Sequence, residues 1–219
     1  PADVQRKFCA AMQEGWKRYM ADPAKYNPRI AALNPAMSAE AMNLAGMQRM
    51  LSQRIAKNYL MLGSEIRPEQ AEQQLEQSIA KFESNHLALN DYAPSADIRS
   101  ALQAAGDTWQ RYREQVLTRP EQSGALQILM LSDQLLAQSE HLAQLVERHS
   151  GGSSAVLVNR SGRQRMLSQR IATLYRAMSW RLPVANLQQS FEQAVSEFEL
   201  ALHELQQAEQ NTAQSNKGL

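Results

Sequence analysis

From Asn43 onward the apolar positions fall on a helical period. At about 100° per residue, Leu44, Leu51, Ile55 and Leu62 come together with Tyr59 beside them, a stripe that a helix buries. Gly46, Arg49 and Gln53 follow an i, i+3, i+7 spacing on a different side. That helix therefore has two working faces. Turn residues punctuate the rest of the chain: Gly63-Ser64 with Pro68, then Tyr92-Ala93-Pro94-Ser95, then Arg119-Pro120, where the residue before proline is pushed out of the helical region. Gly151-Gly152-Ser153-Ser154 reads as a flexible break, and Pro183 falls near the last corner. Pro28 and Pro35 interrupt the segment before the first of these helices, and Ser38 is placed to cap it. The pattern predicts an all-α fold, an up-and-down helical bundle.

The same pattern occurs twice. Residues 43–56 read NLAGMQRMLSQRIA and residues 159–172 read NRSGRQRMLSQRIA, an offset of 116. The offset holds without a gap through Tyr59/Tyr175, Glu76-Gln77/Glu192-Gln193 and Phe82-Glu83/Phe198-Glu199, with 17 identities in 41 positions from Asn43 to Glu83. Chance does not sustain that, so the chain carries tandem or pseudo-dimeric four-helix-bundle units. A weaker echo links Trp16-Lys17-Arg18-Tyr19 to Trp109-Gln110-Arg111-Tyr112. It suggests three parts: residues 1–37, with a third-helix copy at roughly 3–21; a full four-helix unit at 38–150; and a partial second unit at 151–219, a motif helix plus a second helix. On that reading the second unit is split between the chain ends, and the N-terminal helix packs on the C-terminal pieces to complete it. Degenerate tandem repetition with ragged ends is the alternative.

Composition narrows the function classes. Lys plus Arg number 23 against 22 acidic residues, without the basic excess of a nucleic-acid binder. Leu, Ala, Gln and Glu dominate and aromatics are few, which suits helices. Cys9 stands alone, so neither an intrachain disulfide nor a cysteine-based zinc site can form. His86, His141, His149 and His203 lack metal-ligand spacing and read mostly as surface histidines. No Walker, G-x-S-x-G or G-x-G-x-x-G pattern occurs, and no metal, cofactor or enzymatic activity is expected. Trp16, Trp109 and Trp180 read as core anchors or helix-end plugs, and the methionines of the motif helices as core filler. No stretch approaches eighteen apolar residues, so no membrane span is expected. Pro1-Ala2-Asp3 would suit a mature chain whose signal peptide has been removed or a trimmed fragment, and a single thiol does not decide between cytoplasm and periplasm.

The chemistry concentrates in the repeat. A glycine inside a helix costs about 1 kcal/mol relative to alanine, so Gly46 and Gly162 want a reason, and close approach of a partner backbone supplies one. The two motif helices are expected to pack against each other within the chain and to cross at these glycines. One turn on, Arg49 and Arg165 carry planar guanidinium forks suited to oxyanions. About a pseudo-twofold axis the two forks would converge on one pocket; without a ligand the two cations would repel one another. The plainer reading is that arginine and glutamine on a helix form a solvated face, repeated only for packing.

The run N-x-x-G-x-Q-R-M-L-S-Q-R-I-A resembles the signature of the PilJ-type sensor domain, the periplasmic N-terminal region of type IV pili methyl-accepting chemotaxis transducers. More loosely, it is similar to the periplasmic box of nitrate/nitrite sensors. The resemblance implies four-helix bundles that dimerise and hold nitrate between two first helices. It implies Gly46, Arg49, Gly162 and Arg165 as ligand-binding residues, with Asn43, Gln53, Arg54, Asn159, Gln169 and Arg170 as supporting ones. The implied function is chemotaxis-related signal transduction by a periplasmic sensor or carrier of nitrate or nitrite, its signal peptide removed, with a membrane receptor as a possible partner. The chain departs from the family pattern in carrying two motifs and in running from the fourth helix into another motif helix. An interaction module or signalling adaptor without a small ligand is the alternative from another class.

Overall fold

The computed structural model describes residues 35–150 and 153–206. They form six helices, with no strand among the described residues: α1 (Pro35–Gly63), α2 (Pro68–Tyr92), α3 (Ala96–Val116), α4 (Gln122–Ser150), α5 (Ser153–Ser179) and α6 (Leu187–Gln206). The predicted helix around Trp16, the tail from Asn211 and Gly151-Gly152 lie outside the described residues.

The boundaries follow the turn chemistry. Ser95 caps α3, its hydroxyl accepting from the Ile98 amide at 3.3 Å. The expected cap at Ser38 is corrected. Helix α1 already begins at Pro35, because proline has no amide to satisfy in the first turn and its fixed φ suits the first helical position. Helices α1 and α5 end alike. Past α1 the Ile66 amide bonds back to the Met61 carbonyl at 2.9 Å, with Glu65 left-handed at φ 56°. Past α5 the Leu182 amide bonds to the Ala177 carbonyl at 3.0 Å, with Arg181 at φ 55°. The equivalence thus persists where side chains differ, and both stops use the six-to-one bond that glycine ordinarily supports. Because a non-glycine residue in the left-handed region costs about 1–2 kcal/mol, Glu65→Gly and Arg181→Gly should each stabilise the fold by up to about 1 kcal/mol after the entropy cost of glycine. Urea denaturation measures the shift, and an unchanged midpoint would contradict it.

Helices α1 to α4 form an up-and-down bundle, α1 packing on α2 and α4, and α3 on α4. Its main core gathers Leu51, Ile55, Tyr59, Phe82, Trp109, Tyr112, Ile128 and Leu135. Phe82 stacks on Trp109 at 4.1 Å between ring centroids, and Tyr112 donates to the Ser52 carbonyl at 2.9 Å. Trp109 is thus a core anchor, whereas Trp180 lies over Gly63 as a plug at the helix ends. The second hairpin, α5 with α6, lies outside this bundle, with α5 along α1 and α6 against α5.

Helix α1 therefore sits at the centre of the molecule. The stripe of Leu51, Ile55 and Tyr59 is buried in the first bundle, and Gly46, Arg49 and Gln53 are buried as well, in the crease between α4 and α5. In α5, Leu167 and Leu174 are buried, but Arg165 and Tyr175 are exposed. One sequence pattern has two environments, because among the described residues α1 has neighbours on every side and α5 does not.

Candidate functional site

The α1–α5 crossing is close because of its glycines. An ideal Cβ on Gly46 would lie 3.6 Å from the Gly162 Cα, and one on Gly162 would lie 3.3 Å from the Gly46 Cα. The motif helices pack in one chain with the glycines opposed, as the duplication predicted.

The pair runs parallel. Further along, the Thr173 hydroxyl donates to the Gln53 carbonyl at 3.0 Å, which an antiparallel pair crossing at these glycines could not bring together. Parallel packing explains the polar contacts. Helical side chains lean back toward the N-terminus, so each arginine meets the partner residue six positions earlier in the motif. Arg49 donates through Nη2 to the Asn159 side-chain Oδ1 at 2.6 Å and to its carbonyl at 3.1 Å. Arg165 donates through Nη2 to the Asn43 Oδ1 at 3.1 Å. The Asn43/Arg49 pair of one copy thus interlocks with the Asn159/Arg165 pair of the other. Both Nη2 atoms lie near one spot: the position of a Gly162 Cβ is 2.9 Å from that of Arg49 and 3.8 Å from that of Arg165.

Other motif bonds also repeat. Gln48 donates to the Phe82 carbonyl at 3.1 Å and Gln164 to the Phe198 carbonyl at 3.2 Å, each tying a motif helix to the helix after it. Ser52 and Ser168 each donate to the carbonyl three residues back, at 2.8 Å.

The two arginines differ in charge environment. Arg49 is fully buried and its Nη1 meets Glu140 Oε2 on α4 at 2.7 Å, while its Nε is buried without a protein partner. Glu140 relieves the repulsion expected between two unneutralised cations, so the carboxylate that no motif marks sets the charge of the site. Glu147, also on α4, accepts from the Asn159 side-chain amide and orients it. Beside Arg49 a cavity of about 410 Å³ opens, lined by Glu140, Glu147, Arg160, Arg163, Glu197 and Glu204 among others. With this mixture of charges, an incoming anion meets carboxylates as well as guanidiniums.

The remaining sequence-predicted residues scatter around this crossing. Gln53 is buried and donates to the Ser132 carbonyl on α4 at 3.2 Å. Gln169 keeps a buried Oε1 without a protein partner. Arg170 is drawn away to Asp133 on α4. Arg54 sits beside Lys57, whose pKa is lowered by burial first and by the Arg54 charge second. Among the histidines, His141, His149 and His203 are exposed; His86 is half-buried against Phe82, and burial lowers its pKa. No group of metal-ligating side chains occurs among the described residues.

The described residues thus form an all-α bundle with a second copy of its leading hairpin laid along it, joined at a glycine crossing flanked by two arginines. The family described as "Type IV pili methyl-accepting chemotaxis transducer N-term" matches residues 36–145 and again 146–217, and the chain belongs to it. Domains of this family are typically periplasmic sensor domains of chemotaxis transducers. No helix among the described residues is long and apolar enough to cross a membrane. No curated protein and no solved structure matches the chain.

Proposed function

We propose that the chain senses or carries a small oxyanion, nitrate or nitrite, held between Arg49 and Arg165 at the crossing of Gly46 and Gly162. The observation that carries this reading is the approach of two guanidinium Nη2 atoms to one spot beside Gly162, 2.9 Å and 3.8 Å from where its Cβ would be. A trigonal monoanion offers oxygens to both forks, and Gly162 leaves room where a Cβ would crowd the Arg49 fork. Asn43 and Asn159 act as place-holders that each fork leaves, wholly or in part, when the anion arrives. The buried, unpartnered Nε of Arg49 gives that fork unused donor capacity. As a ligand site in a transducer domain, the crossing would report occupancy through the angle of α5 on α1.

Glu140 is then the competitor, since it holds the same guanidinium that the anion needs. Glu140→Gln keeps the shape and removes the charge, so calorimetric titration of nitrate should give an affinity several-fold tighter than that of the unmodified protein. Arg165→Lys keeps the charge but loses the fork, and with a charge-assisted bond worth about 1.5–3 kcal/mol the affinity should fall roughly tenfold or more. Titration with nitrate, nitrite and chloride ranks the anions. Binding undiminished in Arg165→Lys would move the ligand elsewhere.

One observation favours a second reading. Arg49 already has Glu140 and Asn159 as partners, which a purely structural arginine would also have. The protein would then be an interaction module without a small ligand. A thermal-shift series separates the two readings: nitrate at concentrations well above its Kd should raise Tm for a binder, and no simple anion should do so for a module.

A further inference from the structure

Helices α4 and α6 both run antiparallel to α5. On α4 the contacts pass from Asp133 with Arg170 to Glu147 with Asn159; on α6 they pass from Phe191 beside Tyr175 to Glu197 with Arg163. The two helices therefore point the same way. Each turns two glutamates, seven residues apart, into the cavity of about 410 Å³ beside Arg49: Glu140 and Glu147 from α4, Glu197 and Glu204 from α6. Seven residues are nearly two turns, so each pair shares a face with about 10.5 Å between its members. At one end of the cavity the chain supplies the counter-ions: Arg49 takes Glu140 at 2.7 Å, and Arg163 takes Glu197 at 2.9 Å. At the other end it does not. Glu147 accepts from the Asn159 amide but pairs with no cation among the described residues, and Glu204 has no polar partner among them. Arg160, exposed on α5 beside Asn159, has none either.

We propose that this end of the cavity binds a basic α-amino acid, with its two ammonium groups on Glu147 and Glu204 and its carboxylate on Arg160. The charge count selects the class. The lining carries four carboxylates against three guanidiniums, one negative charge in excess, which a ligand of two ammonium groups and one carboxylate balances. Leu200 and Ala201 lie between Glu197 and Glu204 on the same face of α6, and Leu200, 61 % exposed, offers apolar surface to the methylene chain. The lining is also more than a surface cluster. One wall is Arg49, whose side chain is 1 % exposed and whose Nε is buried without a partner. The volume lies within the range of about 300–1,000 Å³ usual for small-molecule sites. A bare metal ion fits poorly, since no group of metal-ligating side chains occurs among the described residues. The inference goes beyond anion binding at the crossing and does not rest on it, because neither Arg160 nor Glu204 bonds to Arg49, Arg165 or their asparagine partners.

The test is calorimetric titration of the full chain with three probes: lysine, norleucine, which lacks the second ammonium, and cadaverine, which lacks the carboxylate. Lysine should bind roughly tenfold tighter than either, because norleucine leaves a glutamate unpaired and cadaverine sets a cation against Arg160. Glu204→Gln should weaken lysine binding by about tenfold. Arg160→Gln should weaken lysine and strengthen cadaverine, reversing the preference between them. Both residues are exposed, so neither substitution disturbs the core. A nitrate titration of Glu204→Gln that matches the parent, beside a weakened lysine titration, separates this site from the crossing. No binding of lysine, equal affinity for lysine and norleucine, or lysine affinity unchanged in Glu204→Gln would overturn the proposal.

Discussion

Arg49→Ala should lower folding stability by about 2–4 kcal/mol, while Arg165→Ala should stay within about 0.5 kcal/mol of the parent. The two residues hold equivalent places in identical motif runs, so sequence alone expects equal effects. Their surroundings decide otherwise. Arg49 is fully buried, and its loss strands the Glu140 carboxylate and the Asn159 oxygens while emptying a guanidinium-sized space. Breaking a buried pair typically costs about 3–5 kcal/mol, and Glu140, whose side chain is 26 % exposed, recovers part of that from water. Arg165 is exposed and gives up one bond to Asn43. Urea denaturation of both variants without added anion gives the comparison. Equal losses would mean that Glu140 does not neutralise Arg49. Two bare cations facing each other would gain stability from the loss of either; the Glu140 carboxylate beside Arg49 removes that gain.

The second large effect concerns the crossing itself. Gly162→Val should cost about 2–3 kcal/mol, as overpacking of a close interface does, and should abolish anion binding with it. The first added carbon would lie 2.9 Å from Arg49 Nη2, an atom anchored by Asn159, and 3.3 Å from the Gly46 Cα, which is backbone. The side chain could give way only by releasing its bonds; the backbone could do so only by parting α5 from α1. Gly46→Ala is the control. Its Cβ would meet Arg49 Nη2 at 3.3 Å and the Gly162 Cα at 3.6 Å, and alanine gains about 1 kcal/mol of helix propensity, so the net change should be near zero. Calorimetry and denaturation on both variants check the order. A Gly162→Val protein as stable as the parent would show that the helices do not need this approach.

Much of this arrangement was legible in the residues. The 116-residue offset identified which helices pair, and a glycine held in both copies marked where they cross. Gly63 closes α1, and Ser64, Ser95 and Pro183 lie between the helices the structure describes. The family followed from the motif. Glu140 and Glu147 were not legible, because they belong to no motif and reach the crossing only when α4 folds back along α1, 91 residues away for the Arg49 bond. Nor was the difference between the two copies legible. A helical wheel shows which residues share a face, but the number of helices that press on that face is a property of the whole packing. For the same reason Gln53 finds Ser132 while Gln169 keeps a buried oxygen without a protein partner.

Helix α4 ends at Ser150 and α5 begins at Ser153, so the two motif helices belong to one polypeptide and only residues 151 and 152 separate α5 from the bundle before it. In a site assembled from two separate chains, occupancy depends on how many chains have found a mate, and dilution empties it. Here each half of the proposed site meets the other at an effective concentration fixed by the fold, in the millimolar range or above for so short a connection. The response should therefore be independent of how much protein a cell makes. With one such crossing among the described residues, the proposed site should also saturate as a simple hyperbola, without the cooperativity that two linked sites can produce.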